Sequence, residues 1–391
     1  MRVLHTSDWH LGRSFHREGM LGAQAVFVDH LIETVEQQKV DLVVLSGDVY
    51  DRALPQVDAV ALADEAFSRL AESRARLVVT SGNHDSAQRL GFGSRLIDAA
   101  GVFIRTDASQ VGRPVLLDDE HGKVAVYGIP FLEPDALREP WGLKARSHEA
   151  ALTQAMDRVR RDLTRKDSTT RSIVLAHAFV AGCEPSESER DISVGGVSMV
   201  SSQVFDGVDY VALGHLHGRQ QVTDTIRYSG SPLAYSFGEA DQVKGSWLVD
   251  LDRAGAISAE FVEAPVPRQL TRIRGALEDL LADPGLSRHE ASYVQATLTD
   301  DARPAQAMER LRKRFPYTLV LTFEPTHVDR DTTPRHRPQG RGDQAIALDF
   351  VQELRGTPAS EAEAALLQDA VDACCHDRDQ DVLVTEAGDA R

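Results

Sequence analysis

The sequence predicts an α/β protein, a four-layer α/β/β/α sandwich followed by a small α+β cap and a C-terminal helical pair. Three observations predict it. First, five short apolar runs rich in β-branched residues lie within the first 220 positions, in RVLHTSDWH, DLVVLSGDVYD, RLVVTSGNHD, SIVLAH and VDYVALGHLH. Second, segments of helical periodicity separate the early runs, which is the pattern of βαβ units and a parallel sheet. Third, the pattern changes after about residue 265 to a shorter strand–helix alternation and then to a Pro/Gly-rich charged stretch.

Taken in order, the first run spans the start of the chain and ends in Asp8 and His10. A helix follows over Gly22–Lys39, with Val26, Phe27, His30, Leu31, Thr34 and Val35 at helical spacing. The second run ends in Asp48 and Asp51, and a second helix carries Val57, Val60, Ala61, Leu62, Phe67 and Leu70. The third, Leu77-Val78-Val79, turns at Gly82 into Asn83, His84 and Asp85, and a third helix is expected over Gln88–Ala100. VAVYGIP, SIVLAH, DYVALGH, IRYSG and SWLVDL supply enough further strands for two stacked sheets. These boundaries give a main domain over 1–265, and the β-α-β-α-β pattern of 266–326 gives the cap. Residues 327–343 read as a linker and 344–375 as a helical pair. The first helix of that pair has an Ile346, Phe350, Val351 and Leu354 stripe, and a Ser360/Glu363 capping box opens the second. Residues 376–391 read as a disordered tail.

Composition sets bounds on function. No apolar run reaches membrane-spanning length and the N-terminus enters a strand, so a cytoplasmic protein without membrane attachment is expected. Three cysteines, Cys183, Cys374 and Cys375, make no disulfide framework. Lys and Arg number 43 against 60 Asp and Glu, a net charge of −17. Such a chain repels nucleic acid unless cations or a basic partner offset the charge locally.

The polar residues at the strand ends carry the chemistry. In an open α/β sheet the carboxyl ends of the strands share one edge, so Asp8, His10, Asp48, Asn83, His177, His215 and His217 should converge there. Carboxylates mixed with imidazoles and no thiolate suit Mn²⁺, Fe²⁺ or Zn²⁺. Seven ligands exceed the needs of one catalytic ion but suit two that share a bridging carboxylate, for which Asp48 is placed. Such a pair fits hydrolysis of a phosphodiester. His84 is then cast as general acid, with Asp85 and, less firmly grounded, Asp51 orienting neighbouring groups.

The DxH, GDxxD, GNHD, lone His and GHxH series resembles the calcineurin-like metallophosphoesterase superfamily. GDVYDRALP, HAFVAG with SESERDISVGG, and YSGSPLAYSFGE narrow the resemblance to bacterial DNA-nuclease subunits that work with an SMC-like ATPase of the SbcC type. That resemblance implies a metallophosphoesterase sandwich with one ion held by Asp8, His10, Asp48 and His217 and another by Asp48, Asn83, His177 and His215. It further implies Mn²⁺ as the cofactor, His84 as the catalytic histidine, and a double-strand exonuclease and single-strand endonuclease active in DNA repair, recombination and replication. The implied partners are DNA, SbcC docked on 344–375, and a second copy through helices near 57–70 and 90–100, in a nucleoid-associated setting. At Asp51, archaeal and eukaryotic relatives place a histidine, whose role does not transfer. A same-fold enzyme for small phosphodiesters or phosphoproteins, and a non-catalytic scaffold of an ATPase complex, are the competing readings. Arg190 and Asp191 receive no role.

Overall fold

The computed structural model describes residues 1–190, 192, 199–326 and 342–385, with only the backbone of 353 and 374–385. Asp191 and positions 327–341 of the expected linker lie outside the described residues.

Leu42–Ser46 is buried along its whole length, as expected of a central parallel strand covered on both faces. Its alternation sorts it between layers, because successive side chains point to opposite faces. Leu42 and Val44 join Val3, Val78, Val126, Ile173, Leu175 and Ala212 in the apolar layer between the two sheets. Val43 and Leu45 join Leu4, Leu77 and Val79 on the outer face, under Phe27, Leu31 and Val35 of helix Leu21–Gln37 and Ala59, Ala63, Ala66 and Leu70 of helix Val57–Glu72. The second sheet is covered in the same way by helix His148–Leu163, through Ala151, Leu152, Ala155, Met156 and Val159. Ser147 caps that helix, its Oγ accepting the Ala150 amide at 3.2 Å. The four layers are therefore helix, sheet, sheet, helix.

The first sheet runs Ile257–Glu263, Gly245–Leu251, Arg2–Thr6, Leu42–Ser46, Arg76–Thr80, Val102–Ile104. Its last four strands are mutually parallel; Gly245–Leu251 runs antiparallel to them, and Ile257–Glu263 pairs antiparallel with it at the edge. The second sheet runs Gln220–Gln221, Ile226–Tyr228, Tyr210–Gly214, Arg171–His177, Gly122–Ile129, Val115–Asp119, with its four central strands parallel. The carboxyl ends of the parallel strands in both sheets face the same edge. Residues Leu270–Phe323 form a three-stranded parallel sheet with helices Leu277–Ala282 and Ala307–Arg314, packed on a core of Ile273, Leu280, Val294, Ala296, Leu311 and Phe315.

The single helix expected over Gln88–Ala100 is instead two four-residue turns, Ala87–Leu90 and Ser94–Ile97, followed by a 3₁₀ turn Asp98–Ala100. Gly91 closes the first turn and Gly93 takes φ +73°, so the helical path cannot continue. The break leaves Phe92 88% and Leu96 84% exposed, and Val57 at the start of the preceding helix is 83% exposed.

The C-terminal unit contains helix Asp343–Arg355, ended by Gly356 at φ +72°, and helix Glu361–Thr385. Ser360 and Glu363 bond reciprocally: the Ser360 amide donates to Glu363 Oε2 at 2.8 Å, and the Glu363 amide donates to Ser360 Oγ at 3.4 Å. Ile346, Phe350, Leu354 and Leu366 are exposed. The second helix passes His376, where the sequence places the start of a tail, because no Pro or Gly interrupts HDRDQDVLVT.

At the amino ends of the strands an ion-pair network ties the sheets together. The Met1 ammonium donates to Leu251 O at 2.9 Å and pairs with Asp119 at 2.8 Å. Arg171, nearly fully buried, pairs with the same carboxylate and donates to the carbonyls of Gly122, Leu251 and Asp252. Burial would push the Asp119 carboxyl up, but Arg171 and the ammonium outweigh it and hold it well below the usual carboxylate range. A lowered folded-state pKa gives stability that is complete above the unfolded value and is lost as pH falls through the folded one. Asp119→Asn is therefore expected to cost about 3 kcal/mol in urea unfolding at pH 7, since it strands a buried guanidinium. The difference from wild type should hold down to about pH 5 and narrow below about pH 4. An unchanged gap at low pH would show that the loss is steric.

Candidate metal centre

Three glycines let the strand ends approach more closely than side chains permit. A Cβ on Gly47, at φ +90°, would sit 2.4 Å from His177 Nδ1; one on Gly82 would sit 2.1 Å from Asp48 Oδ1. On Gly214 it would sit 2.0 Å from Ser46 O, across the gap between the sheets. The backbone is also bent into the left-handed region at four non-glycine residues of the site: Asp8 (φ 55°), His10 (φ 45°), Asp48 (φ 49°) and His215 (φ 105°). Each such residue costs of order 1 kcal/mol or more and persists only where its surroundings over-determine it.

These conformations bring all seven expected ligands to one place. His10 Nε2 faces His217 Nε2 at 3.0 Å. Asp48 Oδ2 lies 3.6 Å from His10 Nε2 and 3.4 Å from His177 Nε2. Asn83 Oδ1 lies 2.9 Å from His177 Nε2 and 3.2 Å from His215 Nδ1. The Asp8 carboxylate accepts the His215 amide at 3.1 Å and the Ser7 hydroxyl at 2.6 Å. Donor atoms of Asp8, His10 and His217 lie within 4.8 Å of one another, as do those of Asp8, Asp48 and His177 and those of His10, Asp48 and His84. Asp8, His10, Asp48, His177, His215 and His217 are all buried.

This donor set fits divalent cations. His177 Nδ1 donates to Ser46 O at 2.9 Å, which fixes that tautomer and turns its Nε2 lone pair toward Asp48 and Asn83. Two imidazole nitrogens facing each other across 3.0 Å, and an imidazole lone pair facing an amide oxygen, are arrangements that a cation between them relieves. Buried at the site, His10 Nδ1 and Asn83 Nδ2 have no hydrogen-bond partner among the described residues. The buried carboxylates draw positive charge, a proton or a cation, onto the imidazole that faces them. Burial would raise Asp48, but the neighbouring His177, His10 and His84 hold it well below the usual range. Burial would lower His177, yet Asp48 and Asp8 lift it to about 9. Burial drives His215 down to about 3 and raises Asp8 to about 6.

The three residues expected around the ligands fall differently. The His84 amide donates to Asp48 Oδ1 at 2.8 Å, and its Nδ1 lies 2.8 Å from the carbonyl oxygen of Asp51. Asp51 thus orients His84 through its backbone, a contact no side-chain motif reveals. Its carboxylate lies 3.6 Å from Arg13 and 3.9 Å from His10 Nδ1. Asp85 accepts the amides of Gly82, Val49 and Tyr50 at 3.0, 3.1 and 2.9 Å, stapling the second and third strand ends together. Burial and the Asp48 charge push its carboxyl up to about 7, against those three donors, which favour the ionised form.

Sequence reasoning missed the support behind His217. Ser188, in SESER, places Oγ 2.5 Å from His217 Nδ1 and donates to the fully buried Glu239 of SFGE. Both stretches are distinctive in the sequence, but nothing in their spacing says that they meet.

The model of the calcineurin-like phosphoesterase family matches residues 1–219. The chain belongs to that family, a class of hydrolases. A second family model, the "Type 5 capsule protein repressor C-terminal domain", matches residues 266–352. SbcD of Staphylococcus saprophyticus, a component of the nuclease SbcCD, is 32% identical over 362 residues, covering 91% of this chain and 94% of that protein. The chain is a member of the SbcD family. Among solved structures, a protein of Thermus thermophilus aligns at 14% identity and TM-score 0.39 over 66% of this chain and 98% of its own. A dimetal phosphatase from Danio rerio aligns at 13% identity and TM-score 0.41 over 67% and 98%.

The close approach of the strand ends makes a stability prediction. Gly82→Ala is expected to cost roughly 2 kcal/mol or more, read as a lower urea midpoint, because its Cβ meets the backbone and carboxylate of Asp48. Gly22→Ala, exposed on helix Leu21–Gln37 with nothing within 4 Å of the new Cβ, should be neutral or stabilising by up to about 1 kcal/mol. Equal midpoints for the two variants would contradict the packing described.

Proposed function

We propose that this chain is a DNA nuclease subunit that hydrolyses phosphodiesters with two divalent cations, Mn²⁺ being the expected ion, in a complex with an SMC-like ATPase of the SbcC type. The carrying observation is the position of Asp48 Oδ2 between His10 Nε2 at 3.6 Å and His177 Nε2 at 3.4 Å, the place of a bridging carboxylate. In this reading Asp8, His10, Asp48 and His217 hold one cation, and Asp48, Asn83, His177 and His215 hold the other. Bound there, the cations would supply charge to phosphoryl oxygens and a water activated at neutral pH.

The remaining steps belong to the chain. His84 uses Nδ1 as donor to Asp51 O at 2.8 Å, and as general acid its imidazolium would pass the second proton, the one on Nε2, to the leaving oxygen. The bond from its amide to Asp48 Oδ1 fixes the distance between this acid and the bridge. Asp85 holds the intervening loop rigid through three amides. Burial of six ligands excludes bulk water and strengthens each charge interaction.

The relative's name, which makes it part of SbcCD, supports assembly with SbcC. The exposed Ile346, Phe350 and Leu354 support 344–375 as the docking segment. The exposed Val57 and Phe92 support a homodimer through the helices near 57–70 and the turns near 90–100. No described helix is long and apolar enough to cross a membrane. A DNA-processing role would be exercised in the cytoplasm, at the nucleoid.

His84→Ala should lower Mn²⁺-dependent cleavage of end-labelled duplex and of single-stranded circular DNA by 10²- to 10⁴-fold while leaving Mn²⁺ uptake intact. Hydrolysis of small phosphodiesters by a wild type that spares both DNAs, even with its partner, would assign the site to another substrate. Phe350→Glu with Leu354→Glu should abolish co-purification with SbcC and spare cleavage by the isolated chain. Retention of the complex would move the docking segment elsewhere.

A further inference from the structure

His217 is held at three separate points, two of them by residues of SESER and the third by Lys244. Glu189 Oε1 accepts its amide at 2.7 Å, Lys244 Nζ donates to its carbonyl at 2.8 Å, and Ser188 Oγ meets its Nδ1. Behind Ser188 lies Glu239, fully buried. One of its oxygens accepts from the hydroxyls of Ser188, Ser186 and Ser236. The other accepts from Lys244 Nζ at 2.6 Å and the Tyr235 amide at 3.2 Å. A buried ion pair of this kind adds little to stability compared with apolar residues of the same shape, so its presence calls for another role.

The proton count gives one. With Glu239 accepting only, the Ser188 hydroxyl proton points to Glu239, and its oxygen lone pair then faces His217 Nδ1. That face accepts only a protonated Nδ1, which leaves Nε2 as a lone pair directed at His10 Nε2, 3.0 Å away. His10 itself lacks such support among the described residues, where its buried Nδ1 has no hydrogen-bond partner. We infer that Ser188 and Glu239 are positioning residues: the relay Glu239–Ser188–His217 fixes the tautomer and ring orientation of His217 and so sets the affinity of the cation site it shares with Asp8 and His10. Partners of this kind typically govern metal affinity by 10- to 100-fold.

The inference rests on the ligand assignment proposed above, and the experiment separates the two. Mn²⁺ is titrated into the full chain without DNA, and free Mn²⁺ is followed by its electron paramagnetic resonance signal. Wild type should bind two ions. Ser188→Ala should bind one with wild-type affinity and the other 10- to 100-fold more weakly. Ser236→Ala, which removes a bond to Glu239 but touches neither Ser188 nor a ligand, should match wild type. Glu239→Gln should resemble Ser188→Ala; if it fails to fold by circular dichroism, the two serine variants decide. Two tight ions in Ser188→Ala, or equal weakening by Ser236→Ala, would overturn the relay and leave the ligand assignment standing. Absence of any Mn²⁺ binding by the folded wild type would overturn both.

Discussion

The site depends on how closely two sheets can approach at one end. At Gly214 the second sheet lies against Ser46 O of the first, at a separation that leaves no room for a Cβ. The contact is cross-linked by hydrogen bonds in both directions: Ser46 Oγ donates to Ala212 O at 2.9 Å, and His177 Nδ1 donates to Ser46 O at 2.9 Å. His5, wholly buried between the sheets, adds bonds to Tyr210 and Leu213 one turn of the pleat away. Asp8, Asp48 and Asn83 come from the first sheet, and His177, His215 and His217 from the second. Open the sheets by the width of one methyl group and the two half-sets no longer share Asp48.

That constraint explains the strain. Asp8, Asp48 and His215 take left-handed backbone angles because the carboxylates and imidazole must turn back toward the seam directly after a strand. The compensation is local and enthalpic: Asp8 receives the His215 amide and Ser7 hydroxyl, and Asp48 receives the His84 amide. Asp85 ties the loops on either side of Asp48. Stability is spent at the carboxyl edge and recovered at the opposite edge, where the Met1 ammonium, Arg171 and Asp119 bind the same two sheets together.

Much of this was legible in the sequence, for a physical reason. Apolar β-branched runs that end in Gly followed by Asp, Asn or His declare both the strand and the edge at which its polar residues emerge, and parallel topology does the rest. What was not legible depends on contacts between distant loops. Ser188 and Glu239 are 51 positions apart and join only because the 3₁₀ turn Phe237–Glu239 packs behind His217. The contact of Asp51 with His84 is made by a backbone carbonyl, which any residue supplies. The helix expected over Gln88–Ala100 failed because apolar spacing was weighed above two glycines, Gly91 and Gly93, whose backbone freedom decides the outcome in so short a segment.

The charge of −17 bears on how such a chain could engage a polyanion. Its cap carries a conspicuous basic run, Arg312-Lys313-Arg314, but Arg314 donates to the carbonyls of Leu280 and Leu281 at 2.9 Å and pairs with Glu290. Arg312 donates to Thr318 O, while Arg272, Arg274 and Arg310 are paired with Asp241, Glu324 and Glu278. An arginine already committed to a carboxylate gains little by exchanging it for a phosphate, because the displaced carboxylate then repels the newcomer. These paired arginines therefore have little charge free to neutralise phosphates, the number of which sets non-specific affinity. The cation cluster can neutralise a phosphate only where one reaches the metal centre. Binding the rest of the polymer falls to other surfaces, and in the proposed complex that task belongs to the ATPase subunit, leaving this chain to hold one phosphodiester in register with His84.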